Sequence, residues 1–280
     1  MSDLKIYEPD NVLKNGYFSI FKQIFKEIIE NHWLLFQLFK RNLLTVYKQS
    51  LFGVLWALIF PLFSVMTFVI LNRSGVFSLG KMDIPYAIYA VFGLSFWQFF
   101  STGLIAGANA LVEAGSMIIK INFSKKSLVL ASLGQAFVSS SIQLILVFLL
   151  FFIYNFTPSV NIVLIPLLFL PIIFLTIGLS FIFSILNGVL RDIGSILSVL
   201  MTFLMFLTPI LYVRPESGIL ALISDYNILY YLIVFPRDLI LIGDASELVP
   251  YLISSGVSII IMLICILVFH ITETRVAERI

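Results

Sequence analysis

Six long runs of the sequence are apolar and contain no Asp, Glu, Lys or Arg, and this feature constrains the fold more than any other. The runs cover residues 51–72, 84–111, 127–154, 161–187, 193–213 and 248–270. A helix needs roughly 20 such residues to cross a bilayer, and each run reaches about that length. Only 11% of the residues are charged, against about 25% in soluble domains. The sequence therefore predicts an all-α membrane protein with six transmembrane helices.

The first fifty residues differ from the rest. We predict that residues 1–50 form a domain of cytoplasmic and interfacial helices, and that residues 51–280 form the six-span transmembrane domain. Within residues 17–30, apolar side chains recur on one helical face, and Lys, Gln and Glu lie opposite. This amphipathic pattern favours a helix lying in the membrane surface. A helix packed on a soluble partner has the same period.

The distribution of basic residues predicts the orientation. If the amino terminus is cytoplasmic, thirteen of the 17 Lys and Arg residues lie in cytoplasmic segments and four lie outside. This bias predicts that both termini are cytoplasmic, which agrees with an even number of spans. Residues 214–247 are then external, and the apolar stretch 227–235 within them is too short to cross. We expect short re-entrant or gate helices there, before the last span.

The polar content of the spans is limited to neutral side chains. Because charged groups are kept in a bilayer mainly for proton or ion relay, their absence disfavours an ion-coupled transporter. Five amides within the spans are expected to hydrogen-bond between helices. They are Gln98, Asn109, Gln135, Gln143 and Asn187. The motif Gly103-Leu-Ile-Ala-Gly107 allows close helix approach, either between two copies or within one chain.

Motifs for catalysis, metal binding and nucleotide binding are missing. The chain has one Cys and two His, and no HExxH, CxxC or GxSxG sequence. Residues 75–82 match the start of a phosphate-binding loop, but Met82 stands where a hydroxyl is required. The net charge of +2 gives no reason to expect nucleic-acid binding. We therefore expect no metal, no cofactor and no catalytic site in this chain.

Several short strings, in order, resemble the membrane subunit of polysaccharide exporters of the ABC-2 type. They are Tyr47-Lys-Gln-Ser-Leu-Phe-Gly-Val-Leu-Trp56, Ile84-Pro-Tyr-Ala, Gly93-Leu-Ser-Phe-Trp97, Gly107-Ala-Asn-Ala-Leu-Val-Glu113, Ser116-Met-Ile-Ile-Lys-Ile-Asn-Phe123, Leu186-Asn-Gly-Val-Leu-Arg-Asp192 and Leu207-Thr-Pro-Ile-Leu-Tyr212. The resemblance covers roughly residues 40–280. One departure is Ser124, where family members often have a proline after the aromatic residue of the loop.

The resemblance implies a transport subunit rather than an enzyme, exporting a lipid-linked polysaccharide across the bacterial inner membrane. It implies a homodimer that binds two copies of a cytoplasmic ABC ATPase, which would bind ATP and Mg²⁺. The expected substrate is a polysaccharide linked to undecaprenyl pyrophosphate. The alternatives are an ABC-2 exporter of a small drug or lipid, an ion-coupled transporter, and a membrane-bound enzyme that processes glycans.

Four sets of site residues follow from the resemblance and from position. The set expected to contact the ATPase is Glu113, Ser116, Ile118, Ile119, Lys120 and Phe123, with a second contact at Arg191 and Asp192. For the second contact, the alternative is that Asp192 caps the next helix while Arg191 faces lipid phosphate. The set expected to guide the lipid pyrophosphate is Lys22, Lys26, Lys40 and Arg41.

The remaining two sets concern the substrate path. Sugars have apolar faces, so aromatic side chains offer a sliding surface. The candidate pore residues are Tyr86, Tyr89, Phe92, Phe96, Trp97 and Phe100. A stripe facing lipid or the protein core has the same spacing. The candidate external gate is Tyr230, Tyr231 and Arg237.

Overall fold

The computed structural model describes residues 17–47, 56–75, 84–115 and 125–277. The regular secondary structure of these ranges is helical, which confirms the all-α prediction. The helices are α1 (Tyr17–Glu30), α2 (His32–Tyr47), α3 (Trp56–Arg73), α4 (Tyr86–Glu113), α5 (Lys125–Ser132), α6 (Gly134–Ile153), a 3-10 helix (Val160–Leu164), α7 (Ile165–Val189), α8 (Ile193–Leu207), α9 (Ile219–Tyr226), α10 (Ile228–Leu241) and α11 (Leu248–Ala277).

Four helical segments of the described chain are long and apolar enough to cross a membrane. They are Tyr86–Glu113, Lys125–Ile153, Val160–Val189 and Leu248–Glu273. Helices α9 and α10 meet at 90°, and they make a fifth span only if the bent pair is counted as one. Helix α8 has 15 residues, fewer than a straight crossing needs. Helix α3, with 18 residues, coincides with the first predicted span. The count of six spans stays a prediction.

Helix α4 lies at the centre of the bundle, where α3, α6, α7 and α10 surround it. Every residue of α4 from position 86 to position 97 is buried. The rings of Phe96 and Phe99 lie 4.6 and 5.2 Å from the ring of Phe169 on α7. These side chains form the main hydrophobic core.

The two glycines of the GxxxG motif bring α7 against α4. A Cβ atom at Gly103 would lie 2.7 Å from Thr176 Cγ2, and one at Gly107 would lie 2.4 Å from Ser180 Cβ. Such contacts are too short, so only glycine permits this approach. The structure therefore uses the motif for packing within one chain.

The segment that we predicted to be external differs from its prediction in extent. Two short helices precede the last span, as expected, but the second runs through Pro236 to Leu241 rather than ending at residue 235. Asn227 separates them, and its Oδ1 accepts a hydrogen bond from the Leu229 N–H at 3.0 Å. Because the first turn of a helix has unpaired N–H groups, this side chain caps α10.

The ends of the bundle have different chemistry. We call the end where α4, α7 and α11 finish and α5 and α8 begin the basic end, since Lys125, Lys126 and Arg191 lie there. Large apolar side chains on α3, α6, α8 and α11 are exposed along the sides. An apolar surface of this extent is typical of contact with lipid or protein rather than water. The chain is a multi-pass membrane protein.

Candidate functional site

A polar groove opens at the basic end between α2, α4, α5 and α6. Its volume is about 560 Å³, within the range of roughly 300–1,000 Å³ that is usual for ligand sites. The lining residues are Arg41, Asn42, Thr102, Ile105, Ala106, Asn109, Glu113, Ser132 and Gln135. Most of them carry an amide, a hydroxyl or a charge, so the groove can hold a polar ligand beside an apolar bilayer.

The groove follows from the one face of α4 that the core leaves open. Between positions 86 and 111, the partly exposed residues of α4 stand at 98, 102, 105, 106 and 109. Steps of three and four place them on one side of the helix. Gln98 Nε2 donates to Thr102 Oγ1 at 2.5 Å along this face. Because unsatisfied polar groups are costly in hydrocarbon, the face suits an aqueous path or a polar partner.

Arg41 supplies the positive charge of the groove. Its Nε and Nη2 donate to Asn42 Oδ1 at 3.3 and 3.1 Å. A guanidinium binds phosphate oxygens in a bidentate manner. Of the predicted pyrophosphate-guiding set, Arg41 lines this groove. Lys22, Lys26 and Lys40 are exposed on α1 and α2 outside it, and Lys26 lies 3.7 Å from Glu30 in an exposed ion pair.

Three of the predicted ATPase contacts, Glu113, Arg191 and Asp192, fall at the same end. Glu113 is the last residue of α4 and lines the groove. Arg191 and Asp192 are exposed in the turn between α7 and α8. Asp192 stands at the N-cap of α8, but its carboxylate makes no capping hydrogen bond, so the capping alternative is not observed. The rest of the set lies outside the described residues, namely Ser116, Ile118, Ile119, Lys120 and Phe123.

The six predicted pore residues are buried in the core of the single chain. They are Tyr86, Tyr89, Phe92, Phe96, Trp97 and Phe100, each at most 8% exposed. The hydroxyls of Tyr86 and Tyr89 donate to the carbonyls of Leu211 and Tyr212 at 3.1 and 3.2 Å. None of the six lines the polar groove. Their burial fits the core interpretation of the stripe, and a pore role stays a prediction.

Arg237, one of the predicted gate residues, is buried at the opposite end of the bundle. Its guanidinium carbon lies 3.7 Å from the centroid of the Tyr89 ring. Nη1 donates to the Ile210 carbonyl, and Nε donates to Asp238 Oδ1, both at 2.8 Å. The structure thus joins a predicted gate residue to a predicted pore residue. Arg237 lies within α10, which continues through Pro236 to Leu241, and its gate role stays a prediction.

The other two gate residues belong to a cluster at the same end. The rings of Tyr230 and Tyr231 lie 5.0 Å apart, and Tyr230 is buried. Arg214 lies over the Tyr230 ring at 5.7 Å and forms an ion pair with Asp225. Its Nη1 is 3.6 Å from Glu247 Oε1. This cluster ties α9 and α10 to the start of α11.

Sequence reasoning missed a buried ionic cluster at the basic end. The Lys126 ammonium, on a side chain 1% exposed, pairs with Glu27 of α1 at 2.9 Å and with Glu273 of α11. His270 Nδ1 lies 3.2 Å from Glu273 Oε1. These carboxylates and the histidine are close enough together to hold a metal ion. The ammonium of Lys126 already contacts both carboxylates, so it supplies the cation there.

Lys126 and Glu273 of this cluster lie just outside the predicted limits of the spans, within which no Asp, Glu, Lys or Arg stands. The observed spans extend to Lys125 at one end and to Glu273 at the other, beyond the predicted limits. The signal in the sequence was the Lys125-Lys126 pair immediately before an apolar run.

The five amides expected to hydrogen-bond between helices have different partners. Asn187 and Asn109 hydrogen-bond between helices, as predicted. Gln98 bonds within its own helix, and Gln135 lines the groove. Gln143 Oε1 is buried with no hydrogen-bond partner among the described residues.

Comparison with known proteins gives the family. The family model of the ABC-2 type transporter matches residues 34–241. The chain is 30% identical, over 88% of its length and 94% of the relative, to an O-antigen export system permease protein RfbA of Klebsiella pneumoniae. It is 25% identical, over 92% of its length and 99% of the relative, to a protein of that name from Myxococcus xanthus. The matched region includes the polar groove, Arg237 and the turn at Arg191. The chain therefore belongs to the ABC-2 type transporter family.

Proposed function

We propose that this chain is the permease subunit of an ATP-driven exporter of polysaccharide in the bacterial inner membrane. The observation that carries the proposal is the similarity, over nearly the whole length of both chains, to permeases named for O-antigen export. The multi-pass helical architecture is consistent with that function. The family implies that an ABC ATPase drives the transport.

The groove at the basic end is the proposed entry site for the substrate. Sugar hydroxyls donate and accept hydrogen bonds, and the amides and hydroxyls of Thr102, Asn109, Ser132 and Gln135 do both. Arg41 would bind the pyrophosphate of an undecaprenyl-linked polysaccharide. Lys22, Lys26 and Lys40 would draw the headgroup toward α1 and α2 from the anionic membrane surface.

The proposed assembly has two copies of the chain and two ATPase subunits, which bind ATP and Mg²⁺. Both termini would be cytoplasmic, and the basic end would face the ATPase. Residues 113–123 and the exposed turn at Arg191 and Asp192 would be its docking sites. The accessible polar face of α4 would line the path between the two copies.

The experiment that tests this function uses a strain from which the gene has been deleted. We expect polysaccharide to accumulate in the cytoplasm and to return to the cell surface when the wild-type chain is expressed. A hydrogen bond to a charged group contributes about 1.5–3 kcal/mol to binding. Losing it therefore lowers the affinity by roughly tenfold or more. Arg41→Ala should therefore reduce export by about that factor at equal membrane abundance.

The matched control is Arg73→Ala, at the exposed end of α3 and away from the groove. It should export like the wild type. Full surface polysaccharide in the deletion strain would overturn the proposed function. So would export driven by a proton or sodium gradient after the ATPase has been inactivated.

A further inference from the structure

The buried amide of Asn187 connects three helices at the basic end. Its side chain lies near the end of α7 and is 2% exposed. Nδ2 donates to the Ala108 carbonyl at 3.1 Å and to Asn109 Oδ1 at 2.8 Å, both on α4. Oδ1 accepts from the Gly194 N–H on α8 at 2.9 Å. One amide thus uses both of its donor hydrogens and its acceptor between helices.

The bond to Gly194 determines how α8 begins. Gly194 is the second residue of α8, where the backbone N–H has no partner within the helix. Asp192, at the N-cap position, makes no capping hydrogen bond. Asn187, from the preceding helix, takes over this role. The start of α8 is therefore held to α7 across the exposed turn that contains Arg191 and Asp192.

Close packing makes this junction sensitive to movement. A Cβ atom at Gly194 would lie 2.5 Å from Asn109 Oδ1 and 3.3 Å from Asn187 Nδ2. Helix α8 thus cannot move toward α4 without displacing the Asn109 side chain. Asn109 itself lines the polar groove. An unbroken chain of contacts runs from the exposed turn through Gly194 and Asn187 to the groove.

We propose that Asn187 is a coupling residue, which transmits displacement of the turn at Arg191 and Asp192 to Asn109 in the groove. The inference rests on the proposed function, in which an ATPase contacts this turn. Hydrogen-bonded networks with two arrangements carry coupling between sites, and the network here has no gap between the turn and the groove. Loss of the network should leave the ATPase docked and active while the substrate path no longer responds.

The test measures polysaccharide exported per ATP hydrolysed in cells or proteoliposomes that contain the permease with its cognate ATPase. The two variants are Gly194→Ala, which pushes Asn109 away from Asn187, and Asn187→Ala, which removes all three hydrogen bonds. The matched controls are Gly256→Ala and Ser184→Ala. Among the described residues, a Cβ atom at Gly256 meets nothing within 4 Å, and the Ser184 hydroxyl donates to the Phe181 carbonyl within α7. Membrane abundance and ATPase co-purification are measured for each.

For both variants we expect ATPase binding and hydrolysis like the wild type and a ratio of export to hydrolysis at least about fivefold lower, the lower end of typical coupling. Both controls should keep the wild-type ratio. An unchanged ratio in the two variants overturns the proposal. Loss of ATPase binding in both overturns it as well, since Asn187 would then shape the docking site.

A double-mutant cycle gives a second test that does not depend on a single variant. Asn187→Ala and Asn109→Ala should not be additive, because both break the same connection. Because Asn109 also lines the proposed substrate groove, we expect the combined loss in the ratio to be smaller than the product of the two single losses. If the loss in the double variant equals the product of the two single losses, the two residues act independently, and this result would overturn the proposal. If the wild-type permease with its cognate ATPase exports no polysaccharide, the proposed function is contradicted instead. Failure of the proposed function can therefore be distinguished from failure of the coupling proposal.

Discussion

Replacing Lys126 by alanine should destabilise the junction of α1, α5 and α11. The change leaves the carboxylates of Glu27 and Glu273, 23% and 15% exposed, without their shared cation. Breaking a buried ion pair by removing one partner costs about 3–5 kcal/mol of unfolding free energy, because the remaining charge is desolvated and uncompensated. Two remaining carboxylates also repel each other. Because both carboxylates are partly exposed and His270 lies beside Glu273, we expect the lower part of that range.

The chain offers a matched control for this change. Lys26 also pairs with a glutamate, Glu30 at 3.7 Å, but the two side chains are 70% and 61% exposed. An exposed pair of this kind contributes about 0–1 kcal/mol. Lys26→Ala removes the same charge and side chain, so the difference between the two variants measures the effect of burial.

The assay uses the single cysteine of the chain. Cys265 is buried on α11, two turns before Glu273. A thiol-reactive fluorophore therefore labels it when this helix separates from its neighbours. In detergent-solubilised protein heated in steps, Lys126→Ala should label at a temperature several degrees lower than wild type, and Lys26→Ala at the wild-type temperature. Equal labelling profiles for the two variants would refute the argument from burial.

Two further predictions use the same labelling assay. Arg237→Lys should lower the free energy of unfolding by about 1.5–3 kcal/mol, since an ammonium cannot both stack on Tyr89 and keep the hydrogen bonds to Ile210 and Asp238. A labelling profile like that of the wild type would contradict this. Gly107→Ala should lower it by about 1–3 kcal/mol through overpacking against Ser180, whereas Gly256→Ala should not. Adding Ser180→Gly should restore the Gly107→Ala protein, and a lack of rescue would mean that the clash is not the cause.

Four of the six predicted spans correspond to helices long and apolar enough to cross a membrane. They were predictable because bilayer thickness and the cost of charge in hydrocarbon act on runs of single residues. The amphipathic helix at residues 17–30 was predicted with the bounds of α1, since the 3.6-residue period is a local property. The aromatic stripe of α4 was visible by the same period. The environment of this stripe could not be predicted, because periodicity alone cannot distinguish a core face from a pore face.

The sequence by itself determined that this chain is a multi-pass helical membrane protein, because hydropathy and period depend on residues close together in the chain. Only the tertiary structure decided which side chains meet. It placed Lys126 between Glu27 and Glu273, 99 and 147 residues away along the chain. It also placed Arg237 on Tyr89 and Asn187 between Asn109 and Gly194. A buried polar group is satisfied by whichever partner the helix packing brings within hydrogen-bonding distance, and that packing depends on the whole bundle rather than on any single segment.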